Sequence, residues 1–173
     1  IIVKNVLFEL CKVTRKFSVA NGLSSNKIFS IGEDRDGRIW LGTDNGVSVI
    51  DKETSSVKKY TVEDGLGGDK VYSIYKDSKH RLWLGILGGD LTVYKGGKFI
   101  TYDKDDGVPQ KFVTGATEDK NGNMWFAAYG DGVLKYDGSA FIKYSLEHGL
   151  NSNSVHFITC DNENNIWVGQ SVG

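Results

Sequence analysis

The sequence predicts an all-β fold, a β-propeller of four-stranded antiparallel blades, from three observations: a tryptophan phrase of fixed period, an aspartate and a glycine in register with it, and glycine-rich turns between short apolar strands. Trp40, Trp83, Trp125 and Trp167 stand 43, 42 and 42 residues apart, in Ile39-Trp40-Leu41-Gly42 and its three relatives. Asp34, Asp77, Asp119 and Asp161 each lie six residues before the tryptophan, and Gly22-Leu23, Gly65-Leu66, Gly107-Val108 and Gly149-Leu150 each open a unit. A constant period of this length marks one supersecondary unit copied along the chain.

Each unit reads as four strands. In the second, Val71 to Tyr75 alternates, Asp77-Ser78-Lys79-His80 interrupts, and Arg81 to Gly85 resumes; Asp90 to Tyr94, a turn at Lys95 to Lys98 and Phe99 to Tyr102 complete the set. Four such strands per unit make one blade. The 22 glycines against a single proline suit tight turns that need positive φ. Blades are expected at about 18–60, 61–103 and 104–144, with 145–173 and 1–17 combining as a fourth. Val6 to Leu10 and Val13 to Phe17 match outer strands, whereas Val155 to Thr159 and Asn165 to Gly169 match inner ones. That phase suits either a closed four-bladed ring or a segment of a larger, seven-bladed type of propeller. Open strand edges in a segment predict self-association, such as a dimer pairing two chains into a larger ring.

Within the first hairpin of each unit, the aspartate is expected to bond backbone two residues on. Gly37, His80, Gly122 and Asn164 are expected to take positive φ. Asp34-Arg35-Asp36-Gly37 looks like the opening of a calcium loop but lacks the later oxygen ligands and closing glutamate, so no metal is expected. The tryptophans, each followed two residues later by Gly42, Gly85, Ala127 or Gly169, are expected to be buried between neighbouring sheets, bulk against a small residue.

Charge and composition narrow the partners. With a formal net charge of −1 and no basic cluster, the chain lacks the footprint of a nucleic-acid binder. No run approaches the ~18 apolar residues of a membrane span, and no signal-peptide pattern opens the chain, so it is expected either in the cytoplasm or as part of a longer protein, without membrane contact of its own. Cys11 and Cys160 are expected on strands two apart, beyond disulfide reach, as free thiols.

No catalytic constellation, phosphate loop or cofactor motif is visible, and no cofactor is expected. Among His80, His148 and His156, only His148, beside Glu147 in a unit-opening loop, merits testing as a base. Ligand contacts are expected on the face that carries the loops between blades and between second and third strands, because those loops vary while the opposite turns stay alike. The candidate residues are Asp44, Asn45, Lys70, Tyr129, Asp131, Asn151 and Gln170. Tyr129 offers a stacking surface for a sugar ring, and the amides and carboxylates can bind hydroxyls. Lys27 and Lys70, aligned in two units, suit an acidic sugar.

The phrase Gly22-Leu23-Ser24-Ser25-Asn26, continuing through Asp34, Gly37, Trp40, Thr43, Gly46 and Asp51, resembles the two-component-regulator propeller repeat, and the resemblance covers nearly the whole chain. It implies the periplasmic sensor part of a bacterial hybrid two-component protein, with seven-bladed rings, often two in tandem, that detect oligosaccharides and signal through a membrane helix to a histidine kinase. On that reading this chain is a non-enzymatic oligosaccharide-binding module. It departs from the family in having four repeats and neither membrane helix nor kinase phrase, so the signalling output would lie outside it. Streptogramin-lyase-like propellers share a similar blade rhythm and supply the alternative, an enzyme acting through His148; a protein-interaction scaffold is the third reading.

Overall fold

The computed structural model describes residues 2–4, 12–88, 90–108 and 112–171, with side chains from Arg15 onward. The strand expected at 6–10 and Cys11 lie outside the described residues. The first sheet is β3 (Ile28–Glu33), β4 (Ile39–Thr43), β5 (Val47–Ile50) and β6 (Val57–Tyr60). The second is β7 (Val71–Lys76), β8 (Leu82–Ile86), β9 (Leu91–Lys95) and β10 (Lys98–Tyr102). The third is β11 (Val113–Glu118), β12 (Met124–Ala128), β13 (Gly132–Tyr136) and β14 (Phe141–Tyr144). All three are antiparallel meanders in chain order. β15 (Val155–Cys160) and β16 (Ile166–Gln170) form a two-stranded sheet, and so do β1 (Ile2–Lys4) and β2 (Lys12–Arg15). These last two pairs are the halves expected to share a blade; among the described residues they are two two-stranded sheets, and the expected strand at 6–10 lies outside those residues.

First strands β3, β7, β11 and β15 neighbour one another in sequence, which gathers them along the inner side of the array. Between sheets, a short 3-10 turn ends at Gly22, Gly65, Gly107 or Gly149, each at φ between 90° and 103°, a conformation costly for any residue with a Cβ. The apolar residue after it is buried in the first three units, as Leu23, Leu66 and Val108.

The aspartates do more than bond backbone. Asp34 Oδ1 accepts from the amides of Asp36 and Arg38, while Oδ2 accepts from Arg38 Nε at 2.7 Å and from the Trp40 indole Nε1 at 2.8 Å. Asp77, Asp119 and Asp161 bond Trp83, Trp125 and Trp167 in the same way, at 2.8, 2.9 and 2.7 Å. One carboxylate thus closes the hairpin and aims the ring. Gly37, His80, Gly122 and Asn164 all have positive φ, as expected of a turn that tight.

Burial of the tryptophans differs from expectation. Trp40 and Trp83 are fully buried, Trp125 is half-buried, and Trp167 is 62% exposed. Trp40, Trp83 and Trp125 each pack on the sheet that follows, and burial is less where that sheet has two strands in place of four. Trp40 meets Tyr94 at 4.6 Å and Trp83 meets Phe126 at 5.2 Å, both one sheet on. Trp125 has only β15–β16 beyond it. The small residue two after the tryptophan permits the approach: a Cβ on Gly42 would lie 2.6 Å from the Val71 carbonyl of the next sheet, and one on Gly85 2.7 Å from that of Val113.

Candidate functional site

Each first strand begins with a β-bulge. Pairing passes from Ile28↔Thr43 to Ser30↔Gly42, from Val71↔Ile86 to Ser73↔Gly85, from Val113↔Ala128 to Gly115↔Ala127 and from Val155↔Gln170 to Phe157↔Gly169. The extra residues are Phe29, Tyr72, Thr114 and His156, all at one position of the repeat. A bulge leaves its extra residue unpaired and re-aims the side chain. Here the residue before it is buried in three repeats, Val71, Val113 and Val155, while Tyr72 next to Val71 is 38% exposed.

These side chains form an arc across all four repeats. Phe29 and Tyr72 lie 5.6 Å apart between ring centroids, and Tyr72 meets Phe112 edge-on at 5.2 Å. Phe112 stacks on Tyr129 at 5.2 Å, and Tyr129 meets His156 edge-on at 5.1 Å. In the third repeat the bulge residue is Thr114, whose hydroxyl bonds the Val155 carbonyl of the next sheet; Phe112 and Tyr129 carry the aromatic line past it. Below the arc the inner strands line an open groove of about 650 Å³, with Phe29, Tyr72, Tyr75, Thr114, His156 and Phe157 in its wall. The arc lies at the strand ends next to the loops between blades, the face on which ligand contacts are expected.

Of the candidate residues, Tyr129 is in the arc. Lys70 is exposed, its carbonyl accepting from the Leu87 amide. Its counterpart Lys27 holds its ammonium 5.1 Å from the Phe29 ring. Asp44 is half-buried in the loop after β4, beside Asn45, whose side-chain amide donates to the Ser24 carbonyl at 3.2 Å. Asp131 is ion-paired with Lys143 of the outermost strand at 2.8 Å, which draws it away from the inner strands. Gln170 donates to the Ser152 carbonyl and Asn151 is exposed in the same loop. Phe29, Tyr72 and His156 escape the sequence reading because a bulge breaks the two-residue alternation, and Phe112 because it precedes β11. The signal for Phe29 and Tyr72 is an apolar pair opening the inner strand, Ile28-Phe29 and Val71-Tyr72, where alternation calls for one apolar residue; Val113-Thr114 and Val155-His156 carry no such mark.

His148 serves as a cap. Its Nδ1 faces the amide and hydroxyl of Ser145 at 3.3 and 3.2 Å, and its ring lies edge-on to Tyr144 at 5.8 Å. His156 Nε2 lies 2.6 Å from the Ser171 hydroxyl. Burial pushes the Asp34 and Asp119 carboxyls up, but bonds from Trp40 and Arg38, and from Trp125 and Asn123, outweigh it and hold both below the usual range. Bonds from Trp167 and Asn165 depress Asp161 as well. Asp34 of the calcium-like stretch is spent on its own hairpin and indole. Among the described residues, no group of three or more His, Cys, Asp or Glu side chains is placed to hold a metal ion, and no helix is long and apolar enough to cross a membrane. Cys160, half-buried at the end of β15, forms no disulfide among the described residues.

The two component regulator propeller family matches the chain four times, at residues 22–45, 65–88, 107–130 and 149–171, together more than half of its length. No curated protein matches it. Among solved structures it is similar to the extracellular domain of a hybrid two component system from B. thetaiotaomicron, with 25% identity and a TM-score of 0.81 over 95% of this chain and 23% of that one. A second such domain from the same organism shares its fold at 24% identity and a TM-score of 0.71, over 91% of this chain and 22% of that one. Virginiamycin B lyase from Staphylococcus aureus shares the fold at 16% identity and a TM-score of 0.65, over 83% of this chain and 48% of that one. The chain therefore spans less than a quarter of the extracellular domains it matches.

Proposed function

This chain belongs to the two component regulator propeller family, and from that premise we propose that it is a ligand-sensing part of a periplasmic sensor, binding an oligosaccharide across the aromatic arc without chemical conversion. The observation that carries the reading is the arc itself: Phe29, Tyr72, Phe112, Tyr129 and His156 offer a run of ring surfaces at the mouth of an open groove. Sugar rings present apolar C–H faces that stack on aromatic rings, while their hydroxyls need polar partners at the edges. Asp44, Asn45, Lys70 and Asn151 lie in loops and Gln170 at the end of β16, groups able to bind hydroxyls or charge at the edge of the arc, and Lys27 and Lys70 add positive charge for an acidic sugar. The groove is open, which suits a chain-like ligand lying across repeats better than a small molecule enclosed by its site.

Titration calorimetry with neutral and acidic oligosaccharides tests this, followed by mass spectrometry of the mixture. Saturable binding is expected with the glycan recovered intact. Tyr72→Ala, a partly exposed ring whose loss spares the core, should weaken binding at least about tenfold, roughly 1.4 kcal/mol. No binding at millimolar glycan, or full affinity in the variant, sinks the proposal. A cleaved product that disappears in His148→Ala would replace it with the lyase reading.

A further inference from the structure

At the other end of the strands from the arc, the turns of the first and second sheets enclose a groove of about 580 Å³. It lies between two complete four-stranded sheets. Three turns reach it: Asp34 to Arg38 after β3, Lys79 to Arg81 after β7, and Lys95 to Gly97 at the end of β9. Its charge is one-sided. Arg35, Arg38, Lys79, Arg81 and Lys95 line it against Asp34 and Asp36, with Asp77 beside Arg81, on a chain whose formal net charge is −1. The aspartates are committed to the arginines: Arg38 meets Asp34 at 2.7 Å and Asp36 at 3.1 Å, Arg35 meets Asp36 at 3.3 Å, and Arg81 meets Asp77 at 2.5 Å. Lys79 and Lys95 are exposed and form no ion pair among the described residues.

The repeat itself shows that the fold does not need these cations. Where Arg38 and Arg81 donate Nε to an aspartate, Asn123 Nδ2 donates to Asp119 at 2.8 Å and Asn165 Nδ2 donates to Asp161 at 3.0 Å. A neutral amide closes the hairpin equally well. Counted one repeat on, Lys79 and Lys95 become Asn121 and Asp137, and Asp137 accepts from the amides of Ser139 and Ala140 in its own turn. The boundary between the second and third sheets therefore has neutral or acidic groups where the boundary before it has Lys79, Arg81 and Lys95. Arg81 also has donors to spare, since its Nη nitrogens make no hydrogen bond among the described residues while Nε holds Asp77.

We infer that this groove binds the tetrahedral oxyanion of a phosphate- or sulfate-bearing ligand, gripped by the Arg81 guanidinium with Lys79 and Lys95 as charges on either side. A carboxylate offers two oxygens in one plane, whereas a tetrahedral oxyanion offers three or more strong acceptors, which suits donors that arrive from separate turns. Arginine supplies a flat fork that matches a pair of such oxygens, and lysine a charge on a flexible stem that can follow the third. Gly96 and Gly97 keep the rim low: a Cβ at either would meet no atom within 4 Å, so a ligand can approach past them. The groove and the arc lie at opposite ends of the strands, and the inference holds whether or not the arc binds a glycan.

Titration calorimetry of the full chain with inorganic pyrophosphate tests it, at low ionic strength because salt screens exposed charges. Saturable binding is expected by about 1 mM. Arg81→Asn copies the residue of the third repeat, so it should keep the urea midpoint and raise the dissociation constant at least about tenfold. The double variant Lys79→Gln/Lys95→Gln, at two exposed positions, should raise it at least about fivefold, and it decides the matter if Arg81→Asn fails to fold. Lys59→Gln removes an exposed charge from β6, away from the groove, and should change it less than about twofold. Glucose 6-phosphate and glucose 6-sulfate should compete with pyrophosphate, and the stronger competitor names the source of the oxyanion. No binding of pyrophosphate at about 1 mM overturns the inference. So does full affinity in the double lysine variant, an equal loss in Lys59→Gln, no competition from either ester, or citrate, a carboxylate of similar charge, binding as tightly as pyrophosphate.

Discussion

Replacing Asp77 by alanine removes one side chain that accepts from three donors. Its Oδ2 accepts from Trp83 Nε1 at 2.8 Å and Arg81 Nε at 2.5 Å, and its Oδ1 accepts from the Arg81 amide at 2.8 Å. The carboxylate is fully buried and the Arg81 side chain is 13% exposed. Without it, the indole N–H of a buried tryptophan has lost its acceptor, at about 1–3 kcal/mol. A buried charge that loses its partner costs about 3–5 kcal/mol. Arg81 has a partial refuge, since its guanidinium lies 5.0 Å from the Trp83 ring and reaches some solvent, which puts the second cost at the low end or below. The sum is about 4 kcal/mol, comparable to the whole stability of a marginal domain. With a urea m-value of about 2 kcal/mol/M, the unfolding midpoint should fall by about 2 M. The same substitution at Asp161 is the comparison: it accepts from the Asn165 amide and from an indole in the same way, but Asn165 Nδ2 takes the place of the arginine and the indole is 62% exposed and can turn to water. Urea titrations followed by circular dichroism should show a large drop for Asp77→Ala and no resolvable shift for Asp161→Ala. Equal shifts in the two variants would refute the argument that the buried indole and the buried Arg81 charge, and not the hairpin bonds that both aspartates make, set the cost.

Gly85→Ala should destabilise by about 1–3 kcal/mol, because its methyl would meet the Val113 carbonyl of the next sheet at 2.7 Å; Gly115→Ala, with nothing within 4 Å, should be close to neutral, and thermal melts that rank the two the other way would contradict the packing account. The acid response follows from Asp34 and Asp119, whose folded pKa values lie below their unfolded ones. Groups depressed in this way contribute stability that is fully present above the unfolded value of about 3.9 and is lost as pH falls through the folded value. The urea midpoint should therefore hold from pH 7 to about 5 and decline below about 4, and a midpoint still unchanged at pH 2 would show that these carboxylates carry no net weight.

The architecture was legible because the repeat states it four times: period, turn residues, first-hairpin strands and the glycine after the tryptophan all sit where the spacing places them. One compensation was also on the page. Where the small residue becomes Ala127, the residue paired with it is Gly115, whereas Gly42 and Gly85 face Ser30 and Ser73. The extra methyl is matched by a missing side chain. Two features were not legible. The Asp–Trp bond spans six residues, a spacing meaningless along an extended strand but natural across a tight hairpin, so it appears only once the turn is built. The bulge shifts the side-chain alternation by one residue, which hides Phe29, Tyr72 and His156 from any reading that keeps strict period two. Asp131 carries a contact that the sequence does not show: Lys143, twelve residues on and on the outermost strand, pairs with its carboxylate.

The division of labour within the repeat bears on how a ligand could be sensed. Positions that close the hairpin or set the spacing between sheets hold nearly one residue type throughout, while the bulge position runs Phe29, Tyr72, Thr114, His156 and the position two before it runs Lys27, Lys70, Phe112, Ser154. The bulge residues among them line the groove. A ligand lying along the arc would touch rings carried by four different sheets, so its binding energy would depend on the distances between sheets. Those distances are in turn fixed where Gly42 and Gly85 bring one sheet onto the backbone of the next. A methyl at Gly85 should therefore weaken binding at the arc even though no atom of residue 85 reaches the ligand. If Gly85→Ala folds, loses stability as expected and still binds with unchanged affinity, the arc acts as independent sites and the ligand does not register the spacing of the sheets.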